Sequence, residues 1–180
     1  MTELARVGAA MRRGQDWWRR VGVTTPLLVP TDLAGLAFGG MTDERSGPPH
    51  LGIRHRLTLA LIVVPVDWDR QERLIVRQEP AVEVQGFLAQ VPDLREERDL
   101  PLHGVTARLS VGGPHWESVR IVRGERIARH APLSRLRWDA AGIAYTVQAW
   151  GLAEERLLRV ATSLRPLDAD HAAGAPAVPP

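Results

Sequence analysis

The 180-residue chain contains no cysteine. Disulfides, thiol nucleophiles and zinc sites of the cysteine type are thereby excluded, although the compartment stays open, because exported bacterial proteins also lack cysteine. Lysine is missing too: all 23 basic residues are Arg. With a single Tyr and nothing else titrating between His and Arg, a formal charge of +2 keeps its sign far up the pH scale. The pI near 10.2 therefore reflects a gap in buffering, not a strongly basic surface. Arg is interleaved with Asp and Glu rather than clustered, whereas phosphate neutralisation needs a clustered excess, so nucleic acid is not an expected partner. Aromatic residues are scarce at 5%, but six of the nine are Trp.

The N-terminal positive charges are not followed by the 7–15-residue apolar core of a secretory signal, and no stretch has the length and apolarity of a transmembrane span. Apolar content of 44% is near the globular norm. A chain of this length fits one domain with a core that needs no covalent staples.

The most legible stretch is 133–166, LSRLRWDAAGIAYTVQAWGLAEERLLRVATSLRP. Leu136 and Trp138 alternate with Arg137 and Asp139, the period of a half-buried strand. In the following Asp139-Ala140-Ala141-Gly142, the Gly supplies the positive φ that a short hairpin loop needs. Ile143, Tyr145, Val147 and Ala149 share one face of the return strand, with Trp150 on the other. After Gly151 the period changes. Leu157, Leu158, Ala161 and Leu164 fall on one helical face, with Glu154 and Glu155 in the first turn and Arg165 past the last, the favourable signs for the helix dipole. No Ser, Thr, Asp or Asn stands at the N-cap, and Pro166 is expected to stop the helix.

Trp138, Gly142, Tyr145 and the run Glu154-Glu155-Arg156-Leu157-Leu158-Arg159-Val160-Ala161-Thr162-Ser163-Leu164 resemble the closing motif of a bacterial domain of unknown function. That domain is found at the extracytoplasmic C-terminal end of membrane-anchored proteins, including anti-sigma-factor-like regulators and sporulation lipoproteins. The proline-bracketed lead-in Thr25 to Pro30 resembles the segment before its first strand. The likeness spans 25–166 and is specific over about 133–166. It implies an envelope-associated context, and an anchor upstream of Met1 would suit it. It carries over no catalytic residues.

The rest of the chain reads as follows. Leu4, Val7, Met11, Trp18 and Val21 have helical spacing, giving an N-terminal amphipathic helix over 1–23. Two readings stand: a solvated or loosely docked helix weakened by Gly8 and Gly14, or an interfacial helix meeting a membrane surface or partner through Trp17, Trp18, Arg19 and Arg20. Met41 to His50 reads as an exposed loop. LTLALIVV (57–64) reads as a central strand covered on both faces, and further strands are expected over 72–78 and 81–88. Gln90 to His103 reads as a polar connector or lid. Strands over 105–111, 116–123 and 126–130 follow, separated by turns at Gly112-Gly113-Pro114 and Gly124-Glu125. Residues 24–166 thus form one α+β domain: a curved antiparallel sheet of about seven strands, with the C-terminal helix packed on one face and the N-terminal helix beside it. The tail 167–180 is small and Pro-rich, a composition that stays disordered.

No chemical signature emerges, so no catalytic residue, cofactor or metal is assigned. The histidines at 50, 55, 103, 115, 130 and 171 show no spacing that puts two ligands on one helix face. His115 and Glu117 share a strand face and could form an acid–base or metal pair, against the commoner exposed strand pair. Asp67 and Asp69 could hold a hard cation through oxygen or simply cap a turn. The Gly pairs at 39–40 and 112–113 lack a phosphate-loop pattern, and no Ser has a nucleophile-elbow context. A non-enzymatic binding or sensory module acting on an unknown protein partner is the first expectation. A carrier of a lipid or other apolar ligand between sheet and helix is the alternative, and an enzyme using His115 and Glu117 the third. A filled core at Trp138, Tyr145 and Leu157 would weigh against the carrier.

Overall fold

A computed structural model of the chain describes residues 1–46, 54–64, 72–81, 94–122 and 125–167. It shows an α+β fold in which two helices pack on one face of a seven-stranded antiparallel sheet. The strands are β1 (Leu28–Pro30), β2 (Ala37–Ser46), β3 (Arg54–Ile62), β4 (Arg73–Pro80), β5 (Leu94–Leu102), β6 (Val105–Val122), β7 (Glu125–Ala140), β8 (Ile143–Trp150) and β9 (Leu164–Pro166). Helix α1 (Glu3–Arg20) precedes them, and α2 (Glu154–Thr162) lies between β8 and β9. The large sheet runs β2-β3-β4-β8-β7-β6-β5, two antiparallel meanders joined where β4 meets β8. Strands β1 and β9 form a separate antiparallel pair, Val29 opposite Arg165.

The final hairpin and helix follow their sequence pattern. Ala141 and Gly142, both at positive φ (50° and 75°), make the two-residue turn that suits the twist of paired strands. Trp138 lies opposite Tyr145, and Leu157, Val160 and Ala161 of α2 are fully buried against them. Val160, rather than Leu158, holds the centre of the helical stripe; Leu158 is half-buried at its margin. Pro166 is not what ends α2. The helix stops at Thr162, Ser163 caps it, and the chain enters β9, where Pro166 pairs with Leu28. Leu167, expected at the head of the tail, is buried and donates its N–H to Leu27 O at 2.7 Å.

Helix α1 differs from the loosely docked expectation. Val7, Ala10, Met11 and Trp18 are 0% exposed, and Val7, Met11 and Trp18 belong to the same core cluster as the sheet and α2. The buried stripe is hard to see in the sequence because Ala10, Gly14 and Gln15 contribute to it. Gly14 is there for close approach: a Cβ would sit 2.8 Å from Leu57 Cδ1 and 3.3 Å from Met41 Cε. Gln15 Oε1 accepts the Leu27 N–H at 2.7 Å, tying the helix to the start of β1. Thr2 Oγ1 accepts from Ala5 N–H and caps the N-terminus.

Several loops of the sequence reading are strands. Residues 41–46 continue β2, with a bulge between Phe38 and Gly40. There Gly39 is required, since a Cβ would come within 2.9 Å of Ile62 Cγ2. LREERDLPL is the edge strand β5, paired with β6; charge and a proline on an edge discourage further strand addition. Gly112-Gly113-Pro114 is a bulged passage through one long β6, and 125–140 is one continuous β7. Strand β3 is covered fully on one face only: Leu57, Leu59 and Leu61 are 0% exposed, while Thr58, Ala60 and Ile62 are half-buried. The strand expected over 81–88 lies outside the described residues, apart from Ala81.

Candidate functional site

The N-terminal quartet singled out by sequence does not form one exposed surface. Trp18 is fully buried, so it is a core residue and cannot meet a membrane surface. Trp17 is half-buried, edge-on to the His55 ring at 5.2 Å. Arg19 and Arg20 are exposed, Arg19 near Asp16 at 3.7 Å. Of that quartet only the two arginines reach solvent well, which leaves the interfacial reading without its aromatic pair. His115 and Glu117 lie in β6, Glu117 opposite His130; their side chains are outside those described, as are Asp67 and Asp69. No helix among the described residues is long and apolar enough to cross a membrane. None of the described His, Asp and Glu side chains form a group of three or more that could hold a metal ion.

What the fold does create is a groove of about 510 Å³ where four elements converge. Its floor is the outer end of the β7–β8 hairpin, its walls are the β5–β6 turn and the β1–β9 pair, and the last turn of α2 closes one side. Trp138 and Tyr145 stack in the floor, centroids 5.2 Å apart and planes 15° off parallel. Cross-strand pairing of β7 and β8 forces this contact, and aromatic pairs of this kind are worth about 0.5–1.5 kcal/mol beyond their buried area. His103 leans over Trp138 at 6.1 Å. It occupies the first position of the two-residue β5–β6 turn at φ 50°, and its Nε2 is 2.8 Å from Ala161 O. A carbonyl only accepts, so Nε2 carries the proton and donates, which fixes the ring against α2.

The rim is polar on one side. Arg165 Nη1 donates to Thr162 O and Leu164 O, both at 2.8 Å, and the first of these satisfies a carbonyl at the helix C-terminus. Arg165 is exposed and lines the groove, and its guanidinium has further donors beyond those two bonds. The Tyr145 hydroxyl has no hydrogen-bond partner among the described residues. Burial pushes its pKa above the usual 10.0, because the phenolate would be desolvated. The groove holds no nucleophile–base pair: His103 Nε2 is engaged by Ala161 O, and Thr162 Oγ1 donates to Leu158 O at 2.8 Å.

Beneath the groove the interior is filled. Trp138 and Tyr145 are each 3% exposed and Leu157 is 0%, so sheet and α2 enclose no room for a whole lipid at this point. Gln78, 1% exposed, takes the part of a strand edge: its Oε1 accepts the Leu28 N–H and its Nε2 donates to Leu28 O, each at 2.8 Å. That double bond pins β1, and through it β9 and the groove wall, to the main sheet. The sequence hid this site, because its members come from five separate stretches; Trp138 and Tyr145 were the only visible pair.

No protein-family model matches the chain, and neither curated proteins nor solved structures give a match. The resemblance over 25–166 thus rests on the sequence motifs alone.

Proposed function

We propose that this chain is a non-enzymatic binding module of a bacterial envelope-associated protein, and that it takes the apolar body of an anionic ligand in the groove beside α2. The carrying observation is the pairing of a stacked Trp138–Tyr145 floor with the Arg165 guanidinium at the rim. Ligand sites are mostly apolar concavities of roughly 300–1,000 Å³ with a few placed polar groups, and this groove has that make-up. The envelope context is supported by the resemblance of 133–166 to the extracytoplasmic domain named above. The filled interior weighs against carriage of a whole lipid, though an acyl end or an aromatic group fits the groove.

The probe is 1-anilinonaphthalene-8-sulfonate, an apolar ring system bearing one anion. The native protein is expected to enhance its fluorescence saturably. Arg165→Gln should weaken binding about tenfold, the loss of one charge-assisted contact. Thr162→Trp, at an exposed position on the groove, should abolish it with cooperative unfolding intact. Equal enhancement by wild type and Thr162→Trp would defeat the proposal.

A further inference from the structure

The sheet's second face is turned away from both helices, and arginine dominates its centre. Cross-strand register places Arg77, Thr146 and Arg137 in one row and Gln148 and Arg135 in the next. All five alternate with the residues that bury against α1 and α2. Arg108, beside Arg137 on β6, is engaged by Asp99 at 3.2 Å and Glu97 at 4.0 Å. Arg135 and Arg137 have no such partner: neither forms an ion pair among the described residues, and Arg135 Nε is buried without a hydrogen bond. Asp139, two residues beyond Arg137 on the same face, is exposed and not in ion-pair contact with it.

Long arginine stems often cover apolar surface, and a small cluster of Ile75, Leu133 and Trp150 lies on this face. Stem packing accounts for Arg73, whose guanidinium lies 4.6 Å over the Trp150 ring. It does not account for Arg135 and Arg137, which stand opposite Gln148 and Thr146 in the register. Burial and the neighbouring Arg137 and Arg77 charges all act against the charged form of Arg135, offset in part by Glu97. A guanidinium stays protonated in proteins regardless, so this is a positive charge held where a counter-ion is needed.

We infer that Arg135 and Arg137, with the Gln148 amide and Thr146 hydroxyl opposite them, bind a phosphate monoester. Residues i and i+2 on a strand stand about 7 Å apart on one face, close enough for two planar forks to grip one tetrahedral group. Two guanidiniums with no ion-paired carboxylate among the described residues, Glu97 only partly offsetting one of them, match the roughly −1.5 to −2 carried by a monoester near neutral pH. A carboxylate or a phosphodiester would leave about half of that charge uncompensated. The same chemistry serves a free phosphate compound and a lipid headgroup.

The test is calorimetric titration of the whole chain with inorganic phosphate against chloride at constant ionic strength. One saturable site is expected, weakened about tenfold or more in Arg135→Gln and in Arg137→Gln, with unchanged far-UV dichroism. Arg137→Lys keeps the charge but not the fork, so its affinity should fall between. Should Arg135→Gln fail to fold, the two Arg137 variants decide. Absence of saturable phosphate binding in wild type, or unchanged affinity in Arg137→Gln, would overturn the inference. Phosphatidylcholine vesicles then separate the sources. Arg137-dependent pelleting with added phosphatidic acid, but not phosphatidylserine, identifies a headgroup; phosphate binding without pelleting identifies a soluble ligand. Equal pelleting with both lipids, unaffected by Arg137→Gln, would count against the monoester site.

Discussion

Two glycines on one helix should respond to alanine with opposite signs. Gly8 and Gly14 both lie inside α1, where Gly costs about 0.8–1.0 kcal/mol relative to Ala. At Gly8 a new methyl group meets only Arg12 Nη1, at 3.7 Å, so Gly8→Ala should stabilise the protein by nearly that full amount. For a domain of this size the gain corresponds to a rise in Tm of about 2–4 °C. At Gly14 the methyl group would lie 2.8 Å from Leu57 Cδ1, with Leu57 Cδ2 and Met41 Cε both at 3.3 Å. Leu57 is 0% exposed, so it has no free volume to retreat into. Overpacking of this kind costs about 1–3 kcal/mol, which exceeds the propensity gain. Gly14→Ala should therefore be neutral to destabilising by up to about 2 kcal/mol. Urea unfolding of both variants measures the difference through the midpoint at constant m. A Leu57→Ala background supplies the control: with the clashing methyls gone, Gly14→Ala should become stabilising, and the cycle should show a coupling of about 1 kcal/mol or more. If both alanines stabilise equally in the wild-type background, α1 is not seated on β3 and the account of its docking is wrong.

Gln78→Ala should cost about 2–4 kcal/mol, since it strips both partners from the Leu28 backbone; hydrogen exchange at Leu28 should accelerate in step, and an unaffected Leu28 amide would contradict the clamp. Because Tyr145 is the sole tyrosine, phenolate absorbance near 295 nm reports it alone. It should ionise above 10.0 in the native protein and return to about that value in denaturant. The unfolded chain ionises first, so this residue removes stability as pH rises past 10; native and denatured titrations that coincide would refute its burial. Asp32 has its pKa held below 3.8 by the Ala34 N–H, then by the Arg159 guanidinium. Its contribution is complete above the unfolded value of 3.8 and disappears as pH falls through the lower folded value. The stability gap between wild type and Asp32→Asn should accordingly narrow below about pH 4, and a gap that is constant from pH 7 to 2 would contradict the assignment.

Much of the architecture was legible wherever a periodic pattern coincided with an apolar face. The hairpin at 133–150 and helix α2 show this: period two, a Gly at the turn, then period 3.6. Legibility failed where packing used small or polar residues. Ala10, Gly14 and Gln15 seat α1 in the core, yet none of the three is a large apolar side chain. It failed again where an edge strand carries charge, as in β5, and where bulges let β2 and β6 run through Gly-rich spots that resemble turns. The groove was illegible for another reason. His103, Trp138, Tyr145 and Arg165 are neighbours only because β1–β9 folds across the end of the hairpin. Likewise the arginines of the second face look evenly mixed with acids along the chain; only the register sets Arg135 and Arg137 side by side, neither in an ion pair among the described residues.

The seam between β4 and β8 sets the order of assembly. Every other adjacent pair in the large sheet joins consecutive strands, whereas Arg73 meets Trp150 and Pro80 meets Ile143 across more than sixty intervening residues. Such a long closure is entropically slow, so each meander can gather itself before the two halves are stitched. The rate-limiting encounter then rests on Val76 and Val147, which face each other midway along the seam, and an alanine at either should retard refolding more than it hastens unfolding.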